Sequence, residues 1–274
     1  MSAHDLHIVQ PGTTVCLDEI DPSKTPGLSG SKDHEKAQAM RDLAENVEAM
    51  KLLQRRLYAE SKQSLLIVLQ GMDCGGKDGT IRHVLGPLNP QGIHVASFKK
   101  PTDEELAHDF LWRIHKQTPA LGEIGVFNRS HYEDVLVVRV MNLVPEERWR
   151  PRYDHINEFE RTLADSGSRI LKFMLHISKE EQKERLEARL DDPDKAWKFN
   201  MGDLDSRRKW GDYVRAYEDV LAQCSTDHAP WYVIPADRKW YRNWAISEIV
   251  RRELESMDPR PPAKAKELEG VTVE

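Results

Sequence analysis

Gly71-Met72-Asp73-Cys74-Gly75-Gly76-Lys77 has the spacing G-x-x-x-x-G-K. Glycines in that pattern let successive backbone N–H groups converge on anionic oxygens without Cβ clashes, and the lysine adds a mobile positive charge. The chemistry is phosphate binding, with the dipole of a following helix N-terminus also favouring an anion. One residue breaks the pattern. A Ser or Thr whose hydroxyl binds Mg²⁺ is expected after the lysine, and Asp78 stands there instead. Asp73, inside the loop, would repel phosphate unless a cation lay between them, which makes it a candidate Mg²⁺ ligand. The alternative is an Asp that makes its own turn hydrogen bonds.

A second polar cluster, Asn128-Arg129-Ser130-His131-Tyr132-Glu133-Asp134, follows the apolar run Gly125-Val126-Phe127. Such a strand end carries the second metal-binding acid of phosphate-loop enzymes. Here the first polar residue is the uncharged Asn128, Arg129 is placed to contact a transferring phosphate, and Glu133 and Asp134 lie one turn further on. A surface ion pair between Arg129 and Asp134 is the structural alternative. Residues 185–215 are locally basic, with Arg185, Arg189, Lys195, Lys198, Arg207, Arg208, Lys209 and Arg215. Glu184 and Glu187 suit a solvated helix face for Arg185. Arg189, Lys198, Arg207 and Arg208 flank an aperiodic stretch that reads as a lid closing over phosphates. Asp237, Arg238, Lys239 and Arg242 could add to the same cleft.

These groups need elements to hold them. Ser64–Leu69 is a buried-strand pattern running into the glycine loop, and Thr80–Leu85 reads as the helix that follows. Further strands are expected at 93–98, 125–128, 169–177 and 231–235. Helices are expected at 32–62, 103–117, 146–165, 178–190, 207–223 and 240–257, with 191–206 a loop. Thr102 with Glu105 and Ser178 with Glu181 are capping boxes. Strands alternating with helices imply a parallel sheet covered on both faces, with ligands beyond the carboxyl ends of its strands. Residues 1–30 read as an arm with little regular structure, 31–258 as the main domain with the lid at about 189–210, and 259–274 as a loose tail.

Composition bounds the partners. The chain has 274 residues, 31% charged and 39% hydrophobic, with a formal net charge of -6, which argues against nucleic acid and makes any anion site a local cluster. Three dispersed cysteines, Cys16, Cys74 and Cys224, form neither a metal pattern nor a disulfide framework. With no signal peptide and no apolar run of membrane length, a cytoplasmic protein without membrane contact is expected.

Taken together, Gly71–Gly79, Phe127–Val135, the stretch from Arg189 through Trp197-Lys198-Phe199 to Tyr213, and Ala229–Asp237 resemble the polyphosphate kinase 2 family. The likeness spans about residues 30–258, and Asp78 after the Gly-Lys is a feature of that family. The resemblance implies a three-layer α/β/α P-loop kinase fold with a five-stranded parallel sheet and a helical lid. It implies Mg²⁺-dependent, reversible phosphoryl transfer between inorganic polyphosphate and a nucleotide, with Mn²⁺ as a substitute metal, in a homo-oligomer (a dimer or tetramer). Many family members carry Asp where this chain has Asn128; the Asn form with Glu133 resembles the group that phosphorylates both AMP and ADP. Adenine nucleotides are the expected acceptors, and guanine is left open.

On residues and resemblance together, Asp73, Lys77, Arg129 and Arg189 are the expected catalytic set, with Asp73 and Glu133 on the metal. Gly71, Cys74, Gly75, Gly76, Lys77, Asp78, Lys198, Arg207, Arg208, Lys239 and Arg242 are expected on phosphate or polyphosphate. Gly79, Thr80, Asn128, Arg129, Glu133 and Asp134 are expected on the nucleotide. Two rivals stand beside this reading. An ATP-dependent nucleoside monophosphate kinase shares fold and lid but more usually has Ser or Thr after the lysine. A nucleotide-gated binding protein would leave Asp73, Arg129 and the basic lid without a purpose.

Overall fold

The apolar run that feeds the glycine loop is the middle of a sheet. The computed structural model describes residues 2–263. Its strands in chain order are β1 (Ile8–Val9), β2 (Ser64–Gly71), β3 (Ile93–Ser97), β4 (Ile124–Asn128), β5 (Ser168–His176) and β6 (Trp231–Pro235). They line up as β1-β6-β5-β2-β4-β3, parallel throughout except where β1 meets β6. Every residue of β2 is buried, as a strand covered on both faces must be. Leu65, Ile67 and Leu69 enter one core while Leu66 and Val68 enter the other, the two-residue period of a pleated strand.

The helices are α1 (Ala3–His7), α2 (Lys32–Glu60), α3 (Lys77–Thr80), α4 (Asp103–Leu106), α5 (Trp112–His115), α6 (Val137–Val140), α7 (Glu146–Trp149), α8 (Arg152–Asp165), α9 (Lys179–Asp191), α10 (Met201–Arg208), α11 (Trp210–Cys224) and α12 (Lys239–Met257). A π-helical turn, Ile81–Leu85, prolongs α3. Ile156 and Phe159 of α8 and Ala216 and Val220 of α11 fill the core on one face of the sheet. Met50 and Leu57 of α2 and Ala245 and Ile249 of α12 fill the other. The result is three layers, helix–sheet–helix.

Several sequence expectations change. The sheet has six strands, not five: Ile8 and Val9 add an antiparallel edge against Tyr232 and Trp231. Two residues are too few to show a period. The arm is correspondingly tied down, with His7 Nε2 2.7 Å from the Tyr241 hydroxyl. The helix expected at 103–117 is two short turns, because Asp109 accepts from the backbone N–H of Leu111 (3.0 Å) and competes with helix continuation. That expected at 146–165 breaks ahead of Pro151, which cannot supply a helix-interior N–H. The expected loop 191–206 contains a 3-10 turn, Ala196–Lys198, and most of α10, started by Asn200 capping the N–H of Gly202 (2.8 Å). At the start of the expected tail, Pro259 is buried and the N–H of Arg260 donates to Glu60 (3.2 Å). Residues 264–274 of that tail lie outside the described residues.

A buried polar cluster underlies the turn that follows β4. Glu160 of α8 and Lys172 of β5 are fully buried and 2.5 Å apart. Lys172 also donates to the Tyr132 hydroxyl (2.8 Å) and to Cys224 O (2.6 Å), and Glu160 takes further hydrogen bonds from Tyr132 (2.9 Å) and His131 (3.1 Å). Burial would raise the Glu160 carboxyl, yet Lys172 and His131 hold it below its ordinary range. Breaking one side of such a pair strands a charge, at a cost of about 3–5 kcal/mol, whereas replacing both sides with apolar groups costs much less. Glu160→Leu is therefore expected to lose about 3–5 kcal/mol in urea unfolding, and Glu160→Leu with Lys172→Met to recover most of it. Equal losses in the single and double variants would show that the pair is not the source.

Candidate active site

β2 and β4 are neighbours, with Leu69 beside Asn128, so the glycine loop and the Asn128 loop open at the same sheet edge. The glycine loop turns sharply out of β2. Gly71 has φ +149°, and a Cβ there would meet Leu175 O at 2.8 Å, which excludes other residues. Cys74 also lies in the left-handed region, at φ 62°. Lys77, at the first turn of α3, reaches back over the loop and donates to Gly71 O (2.6 Å) and Met72 O (3.2 Å). Burial, then the charge of Arg129, pulls its ammonium below the ordinary lysine range. The arrangement is a backbone cradle with one desolvated cation, suited to phosphate oxygens.

Arg129 sits across from this cradle. Its backbone is strained at φ 61°, and its N–H donates to Leu69 O (3.1 Å), which welds the two loops together. The guanidinium donates to Asp73 (2.7 Å) and pairs with Glu133 (3.4 Å). The charge of Glu133, against the cost of burial, keeps Arg129 firmly protonated. Asn128 donates to Asp78 (2.9 Å), and Lys198 of the lid pairs with the same carboxylate (3.5 Å). Arg189, near the end of α9, pairs with Asp203 of α10 (3.3 Å). Burial and then the nearby Asp73 raise the Asp203 carboxyl above its usual range. The structure thus gathers Asp73, Lys77, Asp78, Asn128, Arg129, Glu133, Arg189 and Lys198.

Other expected site residues face elsewhere. Asp134 turns to Arg152 (2.9 Å) and is pushed up to about 6 by burial, opposed by that arginine. The 3-10 turn His131–Asp134 decides which of the adjacent acids faces Arg129, and it is Glu133. Thr80 is fully buried, and Gly79 is covered by Arg242. Arg207 docks the lid onto α9, donating to Lys179 O (2.5 Å) and Gln182 (3.1 Å). Arg208 pairs with Asp205 (2.6 Å) on the surface, and Lys239 opens α12 as an exposed residue. Arg242 lies behind the loop, 2% exposed. Cys74 offers its carbonyl to Arg185 (2.9 Å), and burial raises its thiol.

Residues 31–262 match the family model for polyphosphate kinase 2. The chain belongs to the polyphosphate kinase 2 family. It is 52% identical over 266 residues to the AMP/ADP-polyphosphate phosphotransferase of Meiothermus ruber, covering 97% of this chain and 98% of that one. It is 43% identical to the ADP-polyphosphate phosphotransferase of Rhodopseudomonas palustris, covering 90% of each. The crystal structure of polyphosphate kinase 2 from Arthrobacter aurescens superposes with a TM-score of 0.91 at 44% identity, covering 97% of this chain and 93% of that one.

In this polyphosphate kinase 2 chain, sequence reading missed Gln182, Arg185 and Asp203. Gln182 donates to Asp73 O (2.9 Å) and is fully buried. Arg185 spans Cys74 O (2.9 Å), Ala236 O (2.8 Å) and Asp237 O (2.8 Å), joining the loop to the end of β6. The signal available was spacing: 182, 185 and 189 share one face of α9. The oxygen donors suit a hard cation. Asp73 and Glu133 are each 17% exposed and share Arg129, although the described residues contain no ready cluster of three His, Cys, Asp or Glu at ligand spacing. One or two carboxylates completed by substrate phosphates is the usual Mg²⁺ arrangement, so the residues fit. For Lys77→Ala, kcat for phosphoryl transfer is expected to fall at least about a hundredfold, roughly 3 kcal/mol, with the circular dichroism spectrum unchanged. Retention of a tenth of the wild-type rate would remove Lys77 from the chemistry.

Proposed function

We propose that this chain transfers the terminal phosphoryl group of inorganic polyphosphate to AMP and ADP, forming ADP and ATP. The observation that carries the reading is the gathering of Lys77, Arg129 and Arg189 around the glycine loop beside the Asp73 and Glu133 carboxylates. The names of its relatives, which pair polyphosphate with AMP and ADP, support the same substrates. The acceptor is a phosphate oxygen, already an anion, so no strong general base is required. Catalysis is positioning and neutralisation of charge. Lys77 and the loop N–H groups hold the phosphoryl group, Arg129 faces its equatorial oxygens, and Arg189 and Lys198 bring lid charge to the polymer and exclude water. Exchanging one phosphoanhydride for another makes the reaction reversible.

A divalent cation, Mg²⁺ with Mn²⁺ as substitute, would be held by Asp73 and Glu133 and would supply neutralisation of phosphate charge. The same proposal keeps the arm at 1–30, the kinase domain at 31–258 with the lid at about 189–210, and the tail at 259–274. It also keeps a cytoplasmic address and a homo-oligomer. Among the described residues no helix is long and apolar enough to cross a membrane. Met40 and Tyr58 of α2 are 56% and 48% exposed, apolar surface that a second copy could cover.

The test is direct. Protein, Mg²⁺, AMP and polyphosphate are mixed, the products are separated, and ATP replaces polyphosphate in a parallel reaction. ADP and ATP formed from polyphosphate are expected; turnover with ATP alone as donor would favour a nucleoside monophosphate kinase. Glu133 is expected to help hold the shorter acceptor, filling space that the β-phosphate of ADP takes. Glu133→Asn should then lower kcat/KM for AMP much more than for ADP. Equal falls, or none, would remove Glu133 from acceptor selection.

A further inference from the structure

Three of the cations around the loop have a carboxylate at ion-pair distance, and Lys77, held by the carbonyls of Gly71 and Met72, has the charges of Asp73, Glu133 and Asp78 acting on it. Arg129 has Asp73 and Glu133, Arg189 has Asp203, and Lys198 has Asp78. Arg242 has none among the described residues. Its Nε and Nη2 donate to Asn243 Oδ1 at 3.2 and 2.9 Å, and its Nη1 donates to Gly75 O at 3.4 Å. Both acceptors are neutral. The nearest charge that acts on it, Arg185, has the same sign, and Arg185 is itself paired with Glu181 (2.8 Å). Burial, then Arg185, lowers Arg242 to about 9, so the group remains a cation at neutral pH. A buried charge with no counter-ion is costly to keep.

Its position gives that cost a use. The guanidinium is pressed against the underside of the glycine loop. A Cβ on Gly76 would lie 1.7 Å from Nη1, and one on Gly79 3.0 Å from Nη2. Gly76 also has φ +106°, so glycine is demanded there both by conformation and by the approach of the cation. The loop backbone lies between Arg242 and the cleft and blocks direct contact with a bound anion. Field through a single layer of low-dielectric backbone is weakly screened.

We infer that Arg242 is a positioning residue whose fixed charge acts through the glycine loop, and that a phosphate group seated on the loop is the counter-ion it lacks. This rests on the phosphate-loop reading of the site. It assigns Arg242 neither a ligand contact nor a mere hydrogen-bonding duty toward Gly75.

Arg242→Lys, Arg242→Gln and Arg242→Met are compared by thermal unfolding in phosphate-free buffer and by calorimetric titration with tripolyphosphate and, separately, with ADP. Without phosphate, the Gln and Met variants are expected to unfold at or above the wild-type temperature, since they lose an uncompensated charge. Their Kd for the ligand whose phosphate occupies the loop is expected to rise about tenfold or more, while the Lys variant stays within about threefold of wild type. Whichever titration weakens, tripolyphosphate or ADP, names the substrate seated on the loop. Lys and Met variants that weaken binding alike would make the hydrogen bonds, not the charge, the cause, and overturn the inference. Gln and Met variants that no longer fold in the absence of phosphate would also overturn it. Variants that bind both ligands as wild type does would overturn it while leaving the phosphate loop intact. Wild-type protein that binds neither ligand would remove the phosphate loop itself and the inference with it.

Discussion

Arg129 joins the two loops that make the site. Its N–H is tied to Leu69 O at the end of β2, its side chain reaches Asp73 in one loop and Glu133 in the other, and its backbone is held at φ 61° to do so. A strained non-glycine residue persists only where its surroundings over-determine it. Here the surroundings are the register of β2 with β4 and the buried cluster of Glu160, Lys172, Tyr132 and His131 beneath the turn. The two kinds of ion pair differ in purpose. Glu160 with Lys172 is fully buried and fixed; Arg129 with Asp73 and Glu133 is partly exposed and can be exchanged.

That difference gives the cleft its chemistry. Carboxylates pair with cations around the loop: Asp73 and Glu133 with Arg129, Asp203 with Arg189, and Asp78 with Lys198. A phosphate group would compete for the same cations, and the carboxylates are oxygen ligands of the kind a hard metal ion takes. The chain can thus carry a net charge of -6 and still bind a polyanion, because its cations are clustered and their partners are exchangeable. Arg242 stands apart from this exchange, with its charge lodged below the loop.

Much of this was legible in the sequence. β2, the glycine loop and the Asn128 cluster carry strong local patterns, and the layered parallel sheet follows from the alternation of strands and helices. What escaped has a common physical origin. Gln182 and Arg185 act by hydrogen bonds to backbone carbonyls of distant segments, and their shared face of α9 with Arg189 does not say which segments those are. Glu133 and Asp134 are adjacent, and only the 3-10 turn separates the one that faces Arg129 from the one buried against Arg152. Arg242 reads as a basic residue of the cleft, expected on phosphate, and only the packing of α12 against the loop reveals that it lies underneath. β1 is too short for any pattern to announce it.

The account turns on Arg129 and Asp73 acting as one unit that phosphate and metal rearrange. A double-mutant cycle with Arg129→Lys and Asp73→Asn, read as kcat/KM for polyphosphate-dependent ADP phosphorylation at saturating Mg²⁺, measures that coupling directly. Residues in one ion-pair network couple by about 0.5–3 kcal/mol, so the double variant should be impaired far less than the two single losses added together. Single losses that simply add, within about 0.5 kcal/mol, would contradict it.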